Sequence, residues 1–287
     1  MSASFLLDLP AALETRVVEI GGVAIALRTE SLAFARMVEE RYAGFVAGGG
    51  SGIGFDIELR DTVESPGESL EEKDAESEGL VEDDLHVRCE GGVWWMQRGD
   101  FVAQWDPSSG LGRIRQAANP YSLDSVIRIV HSLVLAEQGE FLVHAASAIR
   151  NGSAFLFAGV SGAGKTTISR LAPADATLLT DEISYVRKNG AGYEAHGTPF
   201  AGELARVGAH CSAPLRVLYL LRQGLENRIE EVPRGTAIQA LLRNILFFAQ
   251  DPKLVERVFA GACEFVDRVP VRQLTFRPEA AVWDLIG

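Results

Sequence analysis

Eight consecutive residues, Gly159-Val160-Ser161-Gly162-Ala163-Gly164-Lys165-Thr166, constrain this 287-residue chain more than any other stretch. They fit the pattern G-x-x-x-x-G-K-[ST], in which glycines let successive backbone N–H groups turn inward around a phosphate. The context matches the letters. Ser153–Ala158 is a short apolar run with aromatics and reads as a buried strand. Thr167-Ile168-Ser169-Arg170-Leu171 continues as a helix, whose N-terminus adds a favourable dipole. In such a strand–loop–helix unit Lys165 neutralises β- and γ-phosphates, the Thr166 hydroxyl ligates Mg²⁺, and Thr167 closes the cradle. The expectation is a nucleoside triphosphate site.

Composition is ordinary for a globular protein, at 47% hydrophobic and 23% charged residues. The net charge of −12 is concentrated: residues 61–84 hold eleven acids and one lysine, which leaves the remainder near −2. That segment also carries Pro66, Gly67 and Gly79, and reads as a solvated loop. No basic cluster suits nucleic acid, and no apolar stretch is long enough to span a membrane. Met1–Pro10 contains Asp8 and no basic residue, unlike a secretory signal. Cys89, Cys211 and Cys263 are isolated and odd in number, so reduced thiols and a cytoplasmic location are expected.

Two parts are expected, divided near Asn119-Pro120. Residues 1–118 read as β-rich. They show a hairpin over Val17–Leu27 about Gly21-Gly22, a helix over Ser31–Phe45, and a strand over Ile53–Leu59. Leu85–Cys89, Val93–Met96, Phe101–Trp105 and Leu111–Ile114 follow as an antiparallel meander, with Trp94, Trp95 and Trp105 as packing residues. Residues 119–287 begin with a helix capped by Ser122 and running to about Glu137, then a strand over Phe141–Ile149. Asn151-Gly152 is a specific hairpin signal, so that strand folds back antiparallel on Ser153–Ala158. Further on, Val217–Leu221 reads as a strand, and Thr236–Phe248 and Lys253–Phe265 as amphipathic helices.

Thr177–Thr180 is a short strand ending in Asp181-Glu182. A carboxylate there can hold Mg²⁺ or take a proton from an acceptor hydroxyl. His144 lies on the strand that leads through the hairpin into the glycine loop; a lone histidine on an apolar strand is more often a packed core residue than a catalyst. Thr198–Glu203 is a loop able to line an acceptor pocket.

Together, His144-Ala145-Ala146, the Asn151-Gly152 hairpin, Gly159–Thr167 and Leu178–Glu182 resemble the catalytic domain of bacterial HPr serine kinase/phosphorylase, over roughly residues 120–285. The resemblance implies a mixed sheet of the phosphoenolpyruvate carboxykinase type, an α+β nucleotide-binding core. It further implies an ATP- and Mg²⁺-dependent kinase acting on a hydroxyl of a protein, peptide or small molecule, in a chain able to form a homo-oligomer. Thr166 and Asp181 would hold the metal, Asp181 or Glu182 would orient or deprotonate the acceptor, and His144 would contact phosphate or the base. Three departures stand out. Thr166 replaces a serine, Glu182 replaces the second of an Asp-Asp pair, and His196 in Tyr193–Gly197 stands where the family has arginine. Two other readings use the same loop: a carboxykinase-like enzyme, and an ATP-binding assembly protein without transfer.

Overall fold

A computed structural model describes residues 13–60 and 85–287. Its first part is a hairpin of β1 (Glu14–Ile20) and β2 (Val23–Thr29), turned by Gly21 and Gly22, both at positive φ. Helix α1 (Leu32–Arg41) follows, with the Ser31 side chain accepting from the Phe34 amide. The helix stops four residues before the expected Phe45. Past Tyr42 the chain reverses through Gly44 at φ +84°, which drops Phe45 into the core. Then come β3 (Val46–Ala47), β4 (Ile53–Leu59), β5 (His86–Glu90), β6 (Val93–Arg98), β7 (Phe101–Asp106) and β8 (Leu111–Gln116). They form a mixed sheet in the order β3-β1-β2-β4-β8-β7-β6-β5. β5 to β8 are the expected antiparallel meander, while β4 runs parallel to both neighbours. Trp94 and Trp105 face the core and Trp95 stays half-buried. The acidic segment 61–84 lies outside the described residues.

Helix α2 (Pro120–Ala136) is capped by Asn119, whose side chain accepts from the Tyr121 and Ser122 amides with Pro120 in the first helical position. Ser122, the expected cap, lies inside the first turn, and its hydroxyl donates to Asp100 at 2.7 Å. α2 shares one hydrophobic core with the first sheet on one side and with Leu142, Ile183, Tyr185 and Phe200 on the other.

The second sheet is built around β9 (Phe141–Arg150), which changes partners midway. Phe141–His144 pair with β12 (Ile183–Asn189), and Ala145–Arg150 pair with β10 (Ser153–Ala158). Asn151 and Gly152 both take positive φ at the β9–β10 turn, as the Asn-Gly signal requires. After α3 (Lys165–Arg170), β11 (Thr177–Thr180) also pairs with β9. β13 (Gly192–His196) joins β12 to β14 (Ser212–Gln223), and β14 runs parallel to β10. The ring β10-β9-β12-β13-β14 therefore closes on itself. β15 (Arg228–Glu231), α4 (Arg234–Asn244), β16 (Ile245–Leu246), α5 (Pro252–Arg268) and β17 (Val271–Phe276) complete the chain with a final 3₁₀ turn, Ala280–Leu285. The expected helix to Phe248 breaks at Ile245, where the backbone becomes extended and pairs with Val143 of β9. Edge pairing and the packing of Phe247 and Phe248 against the α2 core override the helical period there. No helix among the described residues is long and apolar enough to cross a membrane. The three cysteines are free.

Candidate functional site

β10, paired along one edge with β9 and along the other with β14, delivers the chain into the glycine loop, so the loop starts from fixed backbone. Three glycines meet three different demands. A side chain at Gly159 would meet the Ala163 Cβ at 2.7 Å, and one at Gly164 would meet Phe276 Cζ at 2.6 Å. Gly164 and Gly162 also adopt φ of +112° and +76°, but a Cβ at Gly162 would meet nothing within 4 Å. Gly162 thus faces open space, the surface a phosphate would use. The loop is braced by the Gln223 side chain, which donates to the Gly162 carbonyl at 2.6 Å, and by Lys165 Nζ, which donates to the Gly159 carbonyl at 3.0 Å.

Facing the loop is a cleft of about 420 Å³, lined among others by Ser161, Gly162, Lys165, Thr166, Thr167, His144, Asp181 and Glu182. Of the residues expected from sequence, only Gly159, Val160 and Ala163 do not line it. Ala163 packs into the core beside Phe155, and Val160 points to solvent. A larger hollow of about 720 Å³ lies on the outer face of the first sheet, where Arg28 and Arg115 pair with Asp56 and Glu58. It gathers no comparable chemistry.

Asp181 and Glu182, though adjacent, differ in circumstance. Asp181 is only 3% exposed, and both its oxygens accept backbone bonds at 2.9 Å, Oδ1 from Gly202 and Oδ2 from Leu204. It thereby fixes the loop Thr198–Glu203 against the cleft, where Ala201, Gly202 and Glu203 form a wall. Glu182 is half-buried, its carboxyl unbridged among the described residues, and desolvation pushes its pKa up, with Arg128 and Lys165 opposing and Asp181 and Asp124 reinforcing the shift. Lys165 is pushed down by burial, against the pull of Glu182 and Glu203. His144 sits where β9 changes partners, on the strand face it shares with Leu142, and is pushed down by burial and by the charges of Lys165 and Arg128. Three chain segments thus bring a lysine, three hydroxyls, two carboxylates and an imidazole to one polar cleft, and the wall adds Glu203.

Two contributors escaped the sequence reading. Gln223 ends β14, the parallel neighbour of β10, and the C-terminal edge of parallel strands is where α/β ligand sites gather. Arg128, on α2, carried no motif; it does not line the cleft, but its charge acts on His144 and Glu182. Conversely, Glu194 and His196 lie on β13 at 3.5 Å from one another and do not line the cleft.

A family model described as SynChlorMet cassette protein ScmC matches residues 116–287. Among solved structures, the HPr(Ser) kinase/phosphatase from Coxiella burnetii aligns at 13% identity and a TM-score of 0.23, over 42% of this chain and 87% of that one. A score so low carries no argument about fold or activity. No curated protein matches the chain. With more than half of the sequence covered, and the whole glycine-loop cleft inside the matched region, the chain belongs to the ScmC family.

Proposed function

We propose that the cleft binds a nucleoside triphosphate with Mg²⁺ and transfers its terminal phosphoryl group to a hydroxyl acceptor. The observation that carries this reading is the convergence of Lys165 and Thr166 with Asp181, Glu182 and His144 in one cleft. The core would then be of the HPr kinase type, as the sequence motifs imply.

The donors fit magnesium. Thr166 offers a hydroxyl and the two acids offer carboxylates, all hard oxygens. Among the described residues no three His, Cys, Asp or Glu side chains could cage an ion by themselves. The ion would therefore be shared between Thr166, a carboxylate of Asp181 and the triphosphate oxygens, the usual arrangement for magnesium on a nucleotide. When bound, it screens the charge that builds up on the phosphates.

The protein's own groups supply the rest. Gly162 and the following amides cradle the phosphates, and Lys165 leaves the Gly159 carbonyl to pair with them. Burial presses Lys165 and Glu182 toward their neutral forms, and a bound polyanion with its cation restores both charges. Glu182, unbridged and facing the cleft, orients the acceptor hydroxyl and accepts its proton. Asp181 holds the acceptor-side loop through its amides. His144, held neutral, donates a hydrogen bond to a phosphoryl oxygen.

The test is incubation of the purified chain with γ-labelled ATP, Mg²⁺ and fractionated acceptors. Label should appear in an acceptor with the native chain and vanish with Lys165→Ala. Asp181→Asn should keep ATP binding while transfer falls by about a hundredfold, the scale set by misplaced reacting groups. Full transfer by Asp181→Asn would overturn its role. ATP binding with no labelled acceptor would point instead to an assembly protein.

A further inference from the structure

Asp124 and Arg128 stand one helical turn apart on α2, the spacing at which acid and base normally pair. Here Asp124 is committed elsewhere. It is 3% exposed, takes Arg41 Nη2 on Oδ2 at 2.5 Å, and accepts the Tyr42 hydroxyl on Oδ1 at 2.6 Å. Arg128 is left half-buried, its Nε buried without a partner, and it forms no ion pair among the described residues. Its guanidinium lies 4.8 Å over the ring of Phe200. Stacking satisfies the face of a guanidinium and leaves its N–H edge unused.

Arg128 does not itself line the cleft, but the ring it stacks on adjoins the lining. Phe200 leads directly into Ala201, Gly202 and Glu203 of its wall. His144 and Glu182, on two further segments of the lining, both feel the positive charge of Arg128. Yet Arg128 bridges neither Glu182 nor Asp181. A half-buried guanidinium stacked on the ring that precedes a polar wall, with its natural helical partner engaged elsewhere, calls for an anion from outside the chain.

We propose that Arg128 is an anion-binding residue of this cleft, taking the oxygens of a phosphoryl group on the side of the carboxylate pair. The inference rests on the triphosphate reading above. In that setting Lys165 serves the phosphates along the glycine loop, and Arg128 serves the terminal phosphoryl group where it meets the acceptor. The same chemistry could be met by free phosphate, so the ligands are tested separately.

Calorimetric titrations of the full chain with Mg²⁺ and ATP, ADP or inorganic phosphate would compare the native protein with Arg128→Met and Arg128→Lys. Methionine keeps an apolar stem on Phe200. Losing charge-assisted hydrogen bonds to one phosphoryl group should weaken ATP by about tenfold or more and ADP by less than about threefold. Lysine should recover part of that loss. Phosphate binding to the ADP-loaded protein should disappear in Arg128→Met. A folded Arg128→Met protein with native ATP affinity overturns the proposal and leaves the triphosphate reading standing. Arg128-dependent binding of phosphate without any ATP binding keeps the seat and sinks the triphosphate reading; binding of neither sinks both. If Arg128→Met fails to fold, phenylglyoxal labelling of the native chain decides. ATP or phosphate should protect Arg128 in the mass-mapped peptides, and absence of protection overturns the proposal.

Discussion

His131 and His144 are both pushed below the ordinary imidazole range by burial, yet they stand in different chemical positions. His144 borders a cleft beside Lys165 and Arg128, whose charges add to the shift. His131 is fully enclosed on α2, with Nδ1 at 3.2 Å from the Tyr185 hydroxyl and Nε2 without a partner, and its pKa is lowered to about 3. The sign of the linkage is definite. The unfolded chain takes up a proton as pH falls through about 6.5, whereas the folded chain refuses it until about 3. His131 therefore leaves stability intact above pH 6.5 and erodes it progressively below. From pH 7 to 5.5 this one residue should remove roughly 1 kcal/mol, read from denaturant midpoints. His131→Gln should flatten that slope; an unchanged slope would mean that the imidazole is not buried in the neutral form. His144 and His196 act in the same direction with smaller shifts.

Among elements, the loop Thr198–Glu203 ties chemistry to backbone. Gly202 approaches so closely that a Cβ there would meet Asp181 Oδ2 at 2.9 Å and Glu182 Cβ at 3.0 Å. Asp181 cannot retreat without giving up the Gly202 and Leu204 amides. Gly202→Ala should leave nucleotide affinity within about twofold and lower turnover by about tenfold or more, since small displacements at a reacting centre are costly. Equal losses in both would show that the loop serves nucleotide binding instead. Much of this neighbourhood was legible beforehand. The glycine loop, the Asn-Gly turn and the acids at the end of β11 depend on local chemistry, and local chemistry is written in short stretches of sequence. What was not legible depends on distant partners. Ile245 leaves a helical pattern because β9 offers an edge, and Ser122 yields the cap to Asn119 because Asp100 takes its hydroxyl. Arg128 looks like any helix-surface arginine until Asp124 is found engaged with Arg41 and Tyr42.

At the scale of the molecule, α2 has no side to spare. Leu123, Val126, Ile127 and Val130 pack in one core with Phe55, Met96, Phe101 and Ile114 of the first sheet, with Tyr185 of the second, and with Phe200 of the loop after β13. The sequence suggested a division at residue 118, but this core draws on both sides of it. A fragment of residues 119–287 would expose that face of α2, an apolar patch of the kind that drives association. Such a fragment should aggregate or melt well below the full chain, as followed by light scattering and thermal denaturation. A soluble, monomeric fragment with native nucleotide affinity would show that the core divides cleanly.

The β1–β2 turn makes the joint between the sheets stiff as well as apolar. Gly21 lies so close to the Tyr185 ring that a Cβ would meet Cε1 at 2.3 Å, and Arg187 Nη1 clasps the Gly21 carbonyl at 2.8 Å. Tyr185 and Arg187 belong to β12, the strand that begins one residue after Glu182. Pull on the outer edge of the first sheet, and the load passes through this rivet onto the strand that directly follows the acids. The hairpin is a lever arm whose short end rests three residues from Glu182.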